Sequence, residues 1–196
     1  MDEFAELNAQ AEKVMERFLR LVPDDSDMLA VVLKSHLLIE ERLNDIIEQA
    51  VADAEPLRGL RLTFENKSRL AQALAPVEGA PNLWRSIAAL NSVRNRLSHE
   101  AEPTDLDRKL AAFFDAANGH PDKPLTLEMR EKRDSSISAL RSRCAFIYVQ
   151  LWTILAVLID RASDNRLMPW RKGANRREQF QIFMPPMQSQ SNSDKS

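Results

Sequence analysis

From Cys144 to Ile159 the chain runs for 16 residues without a charge, and only Gln150 and Thr153 break its apolar character. A helix made of such a segment has no solvent face of its own. Other elements must cover it, either as the central helix of a core or as one shared between a core and a subunit interface. Spanning a bilayer takes roughly 18 to 20 such residues, and here Arg141 and Arg143 precede the run while Asp160 and Arg161 follow it. It therefore reads as a core helix, with no membrane partner expected.

What surrounds that helix follows from the placement of glycine and proline. Gly59, Gly79, Gly119 and Gly173, with Pro23, Pro56, Pro76, Pro81, Pro103, Pro121, Pro124 and Pro169, cut the chain into segments too long for ordinary strands. Phe4, Leu7, Ala11, Val14, Phe18 and Leu21 recur at alternating three- and four-residue steps, the stripe of an amphipathic helix. Asp24, Asp25 or Ser26 can cap a second helix running to about Ala54, and Thr63 a third carrying Phe64, Leu70, Ala71 and Leu74. Pro81 or Asn82 opens a fourth, and Thr104 or Asp105 caps a fifth with Leu106, Leu110, Phe113 and Phe114. A loop from Asn118 to Thr126 leads into a sixth, from about Leu127 or later to Asp164. Alternation of period two is confined to Gln179–Met184. The fold class expected is all-α, an up-and-down bundle of about six helices.

At 196 residues the chain suits one domain, which we place at residues 1–185, with a polar, disordered tail over 186–196. A formal net charge of -2 excludes a global basic field, so any polyanion must be held by a local patch. Cys144 is the single cysteine, which excludes an intrachain disulfide and a multi-cysteine zinc site; within its apolar run it reads as a buried thiol. The acidic start, Met1-Asp2-Glu3-Phe4, has no apolar stretch, so no signal peptide is expected and a reducing cytoplasm fits best. Gly-rich phosphate loops, HExxH and Gly-x-Ser-x-Gly patterns are missing from the sequence, and neither metal nor cofactor is expected.

One stretch carries chemistry. The fourth helix ends Ser92-Val93-Arg94-Asn95-Arg96-Leu97-Ser98-His99-Glu100. At about 100° per residue, Leu83, Ile87, Leu90, Arg94 and Leu97 share a stripe expected to point inward. An arginine there needs a carboxylate such as Glu40 or Glu41, a phosphate, or a wet cleft. Asn95 and His99 stand one turn apart, about 6 Å along the axis, where a side-chain amide can fix the tautomer and direction of an imidazole. His36 lies among the apolar positions of the second helix and reads as a core or cleft histidine, and His120 as a loop residue.

Arginine, a polar residue, three further residues and histidine at the end of an amphipathic helix resemble the motif of HEPN domains. His36-Leu37-Leu38-Ile39-Glu40-Glu41-Arg42-Leu43 and Phe64-Glu65-Asn66-Lys67-Ser68-Arg69-Leu70 extend the resemblance, which covers roughly residues 26–162. With the long apolar helix after a proline-containing loop, the chain is also similar to the mannitol operon repressor family, HEPN-like in fold and regulatory without a DNA-binding domain. The HEPN resemblance implies a homodimer whose motifs face one cleft and metal-independent RNA cleavage, as in a toxin or defence component. His99 would transfer protons, Arg94 would hold the scissile phosphate, and Asn95 would position either. The repressor resemblance implies a non-catalytic regulator or a module that binds a protein partner, such as an antitoxin or a regulator. Glu100 and Glu102 beside His99 would repel phosphate.

Between Arg161 and Arg177 basic residues outnumber acidic ones, with Trp170, Phe180 and Phe183 interleaved or following. Arg171, Lys172, Arg176 and Arg177, together with Arg96 in the motif, are the expected phosphate contacts of an RNA ligand. The competing reading of the basic stretch is a solvated tail whose aromatic residues dock on the bundle.

Overall fold

Asp27, rather than one of the three polar residues before it, starts the second helix. Its carboxylate accepts the backbone N–H of Ala30 at 2.7 Å. The preceding turn is closed by Ser26 N–H on Pro23 O, which carries the chain one residue further before helical geometry begins. The computed structural model describes residues 3–51, 53–57, 59–75, 81–100, 103–118 and 133–163. Among them are six α-helices, a short 3-10 turn at Glu55–Leu57, and no strand.

These helices are α1 (Glu3–Leu21), α2 (Met28–Ala50), α3 (Phe64–Leu74), α4 (Pro81–His99), α5 (Leu106–Asn118) and α6 (Arg133–Ser163). The all-α expectation holds. Thr63 caps α3 by accepting Asn66 N–H at 3.2 Å, and Pro81 occupies the first position of α4. Helix α2 stops at Ala50, four residues short of the sequence expectation, because Val51 turns to extended backbone. Asn118, expected to open a loop, is the last residue of α5, and residues 119–126 of that loop, nearly all of the basic stretch, the alternating stretch at Gln179–Met184 and the tail lie outside the described residues.

Packing explains the apolar run. Leu140, Cys144, Ile147, Tyr148, Leu151 and Leu155 make one buried stripe of α6, and this helix packs most extensively against α2 and next against α1. Phe18 and Val22 of the α1 end meet Val31, Ile39, Leu43 and Ile46 of α2 in the same core. Burying each large side chain of this kind contributes about 1.5 to 3 kcal/mol. The opposite side of α6 is thinner, with Phe146 52% exposed, and near the helix end Ile159 is 47% exposed. Within α6 the 24-residue segment Ile137–Asp160, mean hydropathy 1.7, is long and apolar enough by composition to cross a membrane. It reaches that length by including Arg141 and Arg143, which the count of uncharged residues had left out. Arg141 is occupied within the bundle: it donates to the carbonyls of Leu19 and Val22 at the end of α1 and pairs with Asp24.

The other half of the bundle positions the motif. Helices α4 and α5 form an antiparallel hairpin, fixed at its turn by Arg96 on Asp105 and one turn further by Lys109 on Ser92. Helix α3 closes the layer against α2 and α4.

Candidate functional site

Leu83, Trp84, Ser86, Ile87, Leu90 and Val93 form the buried face of α4. The inward stripe drawn from sequence is correct for its first three members and fails at Arg94. The helix runs past the edge of the core there, so Leu97 is only partly buried, and Arg94 is half-buried with its guanidinium turned to Asn95. Neither acid expected to neutralise it does so. Glu40 accepts Lys67 at 2.6 Å, and Glu41 accepts Arg17 at 2.9 Å. Among the described residues Arg94 has no carboxylate partner. Its Nη1 donates to Asn95 Oδ1 at 3.1 Å, and its carbonyl accepts Ser98 Oγ at 2.9 Å.

An amide does meet an imidazole, but between other residues than the sequence suggested. Asn95 faces Arg94 instead of His99. The pair that forms is Asn91 Oδ1 with His36 Nε2, 3.1 Å apart across the α4–α2 contact. His36 is 5% exposed and stacks on Phe64 of α3, ring centres 3.9 Å apart. Burial is the main influence on its pKa and lowers it. The Asn91 hydrogen bond and Glu40 act upward, Arg94 acts downward, and the net displacement is below the usual value. A neutral imidazole beside an unneutralised guanidinium is the electrostatic signature of this corner.

The structure thus brings Arg94 and Asn95 together and adds His36 and Asn91 behind them. His99 is exposed at the last position of α4, on the adjacent face of the helix. Arg96 is committed elsewhere: it pairs with Asp105 and with Glu100, so Glu100 answers a cation rather than standing against a phosphate. Hydrogen bonds from Arg108 and Arg96 hold Asp105 below the usual carboxylate range, although its partial burial acts the other way. Arg171, Lys172, Arg176, Arg177 and Glu102 lie outside the described residues. Among the described residues no three His, Cys, Asp or Glu side chains converge as a metal site would require. Cys144 is fully buried, and burial pushes its thiol up to about 12, so it is an inert packing group.

Sequence reasoning noted His36 but could not find its partner. Asn91 is 55 residues away, and no local spacing rule connects them. The available signal was a histidine on an otherwise apolar line of α2, between Val32 and Leu43. Compared with known protein families, curated proteins and solved structures, the chain shows no match.

Proposed function

We propose that this chain is a metal-independent endoribonuclease of the HEPN type that works as a homodimer. The observation that carries the reading is the isolation of Arg94. Arg17, Arg42, Arg94, Arg96 and Arg141 are the half-buried arginines among the described residues. All except Arg94 hold a carboxylate. A guanidinium withdrawn from water without an acid partner suits an anion that arrives from solution, and its planar fork fits a phosphate.

In the proposed reaction the ribose 2′-oxygen attacks the adjacent phosphorus. The 2′-O–P bond forms while the P–O5′ bond breaks. One imidazole takes the 2′-hydroxyl proton and another protonates the departing 5′-oxygen. His99 supplies one imidazole per protomer, and the dimer supplies the second. Arg94 stabilises the charge that develops on the non-bridging oxygens. Asn95 holds the guanidinium, while His36 and Asn91 form the packed backing beneath it. Excess EDTA should leave cleavage intact. His99→Ala should lower the rate about a hundredfold to ten-thousandfold with an unchanged circular dichroism spectrum. Full activity in His99→Ala, or loss of activity on chelation, would overturn the mechanism.

A non-catalytic regulator is the second reading, favoured by one observation. On α2, Leu29 is 44% and Leu37 65% exposed, on the side next to His36 and Glu40, and exposed apolar side chains grouped in this way suit a protein partner. Wild-type protein that leaves single-stranded and structured RNAs intact would select this alternative.

A further inference from the structure

We propose that the groove between α4 and α5 is a phosphate-binding track for single-stranded RNA, leading to His99. Its walls are Ser92 on α4 and Arg108 and Lys109 on α5, its floor is Ala89 and Ala112, and its volume is about 190 Å³. Two cations and a hydroxyl line this space, and no carboxylate does among the described residues.

The state of each donor supports an anionic occupant. Lys109 is half-buried, yet its Nζ bonds the neutral Ser92 Oγ at 2.7 Å, leaving two ammonium hydrogens for another acceptor. Arg108 is 81% exposed and uses only Nη2, on Asp105 at 3.1 Å, so the rest of its fork is open. Asp105 is shared between Arg108 and Arg96. Among the described residues, Arg96 and Arg108 form ion pairs with Asp105 and Glu100 alone, and Lys109 forms none, a local positive excess on a chain whose net charge is -2. The alanine floor lets a phosphate approach without meeting a long side chain.

Helical geometry links this groove to the motif. Ser92, Arg96 and His99 follow one another at four- and three-residue steps, so they lie along one ridge of α4. Ser92 and His99 are separated by about 10 Å along the axis. A strand with one phosphate at Lys109 and Arg108 is thereby directed along the ridge towards His99, with its sugar and base turned outwards. None of these contacts reads a base edge, so the track should be indifferent to sequence.

This assignment rests on the ribonuclease reading, and binding must be measured apart from cleavage. The full-length His99→Ala protein would be titrated with a fluorescein-labelled single-stranded RNA of mixed sequence, followed by anisotropy at several salt concentrations. Adding Arg108→Ala and Lys109→Met should weaken binding at least tenfold. It should also reduce the slope of log affinity against log salt by about 1.4, the loss of two phosphate contacts on a single strand. Lys109→Met keeps the apolar stem packed, and Arg108→Ala alone, at an exposed position, guards against a folding artefact. Unchanged affinity and slope would sink the track, even in a protein that cleaves RNA. A tenfold loss in a protein that binds but never cleaves would keep the track and remove the nuclease. A wild-type protein that binds no RNA but is stabilised by inorganic phosphate, with the effect lost in Lys109→Met, would also refute an RNA track, since the groove would then serve a small anion.

Discussion

Two of the polar clusters set into this bundle are built on opposite terms. The first surrounds Tyr148, fully buried between α1, α2 and α6. Arg42 donates to its hydroxyl at 2.8 Å and lies 4.9 Å from its ring centre, and Arg17 donates to the same oxygen. Each guanidinium also holds an acid, Arg17 with Glu41 and Arg42 with Asp45. The second cluster gathers His36, Asn91, Arg94 and Asn95, and there the arginine has only an amide. Where charges are paired inside the fold, they fasten helices to one another. Where one is left unpaired at the rim, the fold gains nothing from it, and a ligand is its natural complement.

Even the closed cluster is not a pure gain. Burial raises Asp45 above the usual carboxylate value, outweighing the Arg42 ion pair 2.7 Å away, and Arg42 Nε is buried without a partner. Its benefit lies in ordering three helices, with desolvation offsetting much of the attraction.

The largest break in the comparison should come from Tyr148→Ala. Removing a fully buried aromatic ring should cost about 3 to 5 kcal/mol in denaturant unfolding. Tyr148→Phe keeps the ring and both salt bridges, so it should cost only about 1 kcal/mol. If the two substitutions proved equally mild, the cluster would not be a fastening.

Acid should expose the other cluster next. The folded pKa of His36 is lowered, so below the usual value of 6.5 the unfolded chain takes up a proton that the folded chain still refuses. Stability should therefore fall as the pH drops from 7 through this range and level off below the folded pKa. His36→Gln should flatten that segment of the profile, and thermal melts between pH 7 and 5 would show it. A wild-type profile as flat as the variant's would mean that His36 titrates alike in both states.

Arg94→Ala should have the smallest effect on stability, within about 0.5 kcal/mol, because no acid is orphaned. It should remove the proposed RNA cleavage nonetheless. Since Arg94 disfavours the charged imidazole, its loss should also raise the His36 pKa and soften the acid dependence. A loss of several kcal/mol would instead place Arg94 with the structural arginines.

Much of the fold could be read from residue order. The three-and-four spacing, the Thr63 cap and Pro81 at the start of α4 are local features, decided by contacts within a turn or two of helix. The motif was legible in part for the same reason: Arg94, Asn95 and His99 share one helix end, whatever else the chain does.

Charge pairing was not legible. Glu40 and Glu41 were both in reach of Arg94 by type, yet each chose a cation from another helix, Lys67 27 residues away and Arg17 24 residues away. The amide of Asn95 was assigned to His99 by its spacing and turned to Arg94, while the amide–imidazole bond formed between Asn91 and His36. Periodicity fixes which face of a helix is apolar, because that depends only on the angle between successive residues. How far a helix extends beyond its neighbours, and which polar tips then meet, depends on packing among elements distant in sequence. That is why the sequence by itself determined the helices and the residues of the motif, and only the tertiary structure decided that Arg94 stands at the rim with no acid beside it among the described residues.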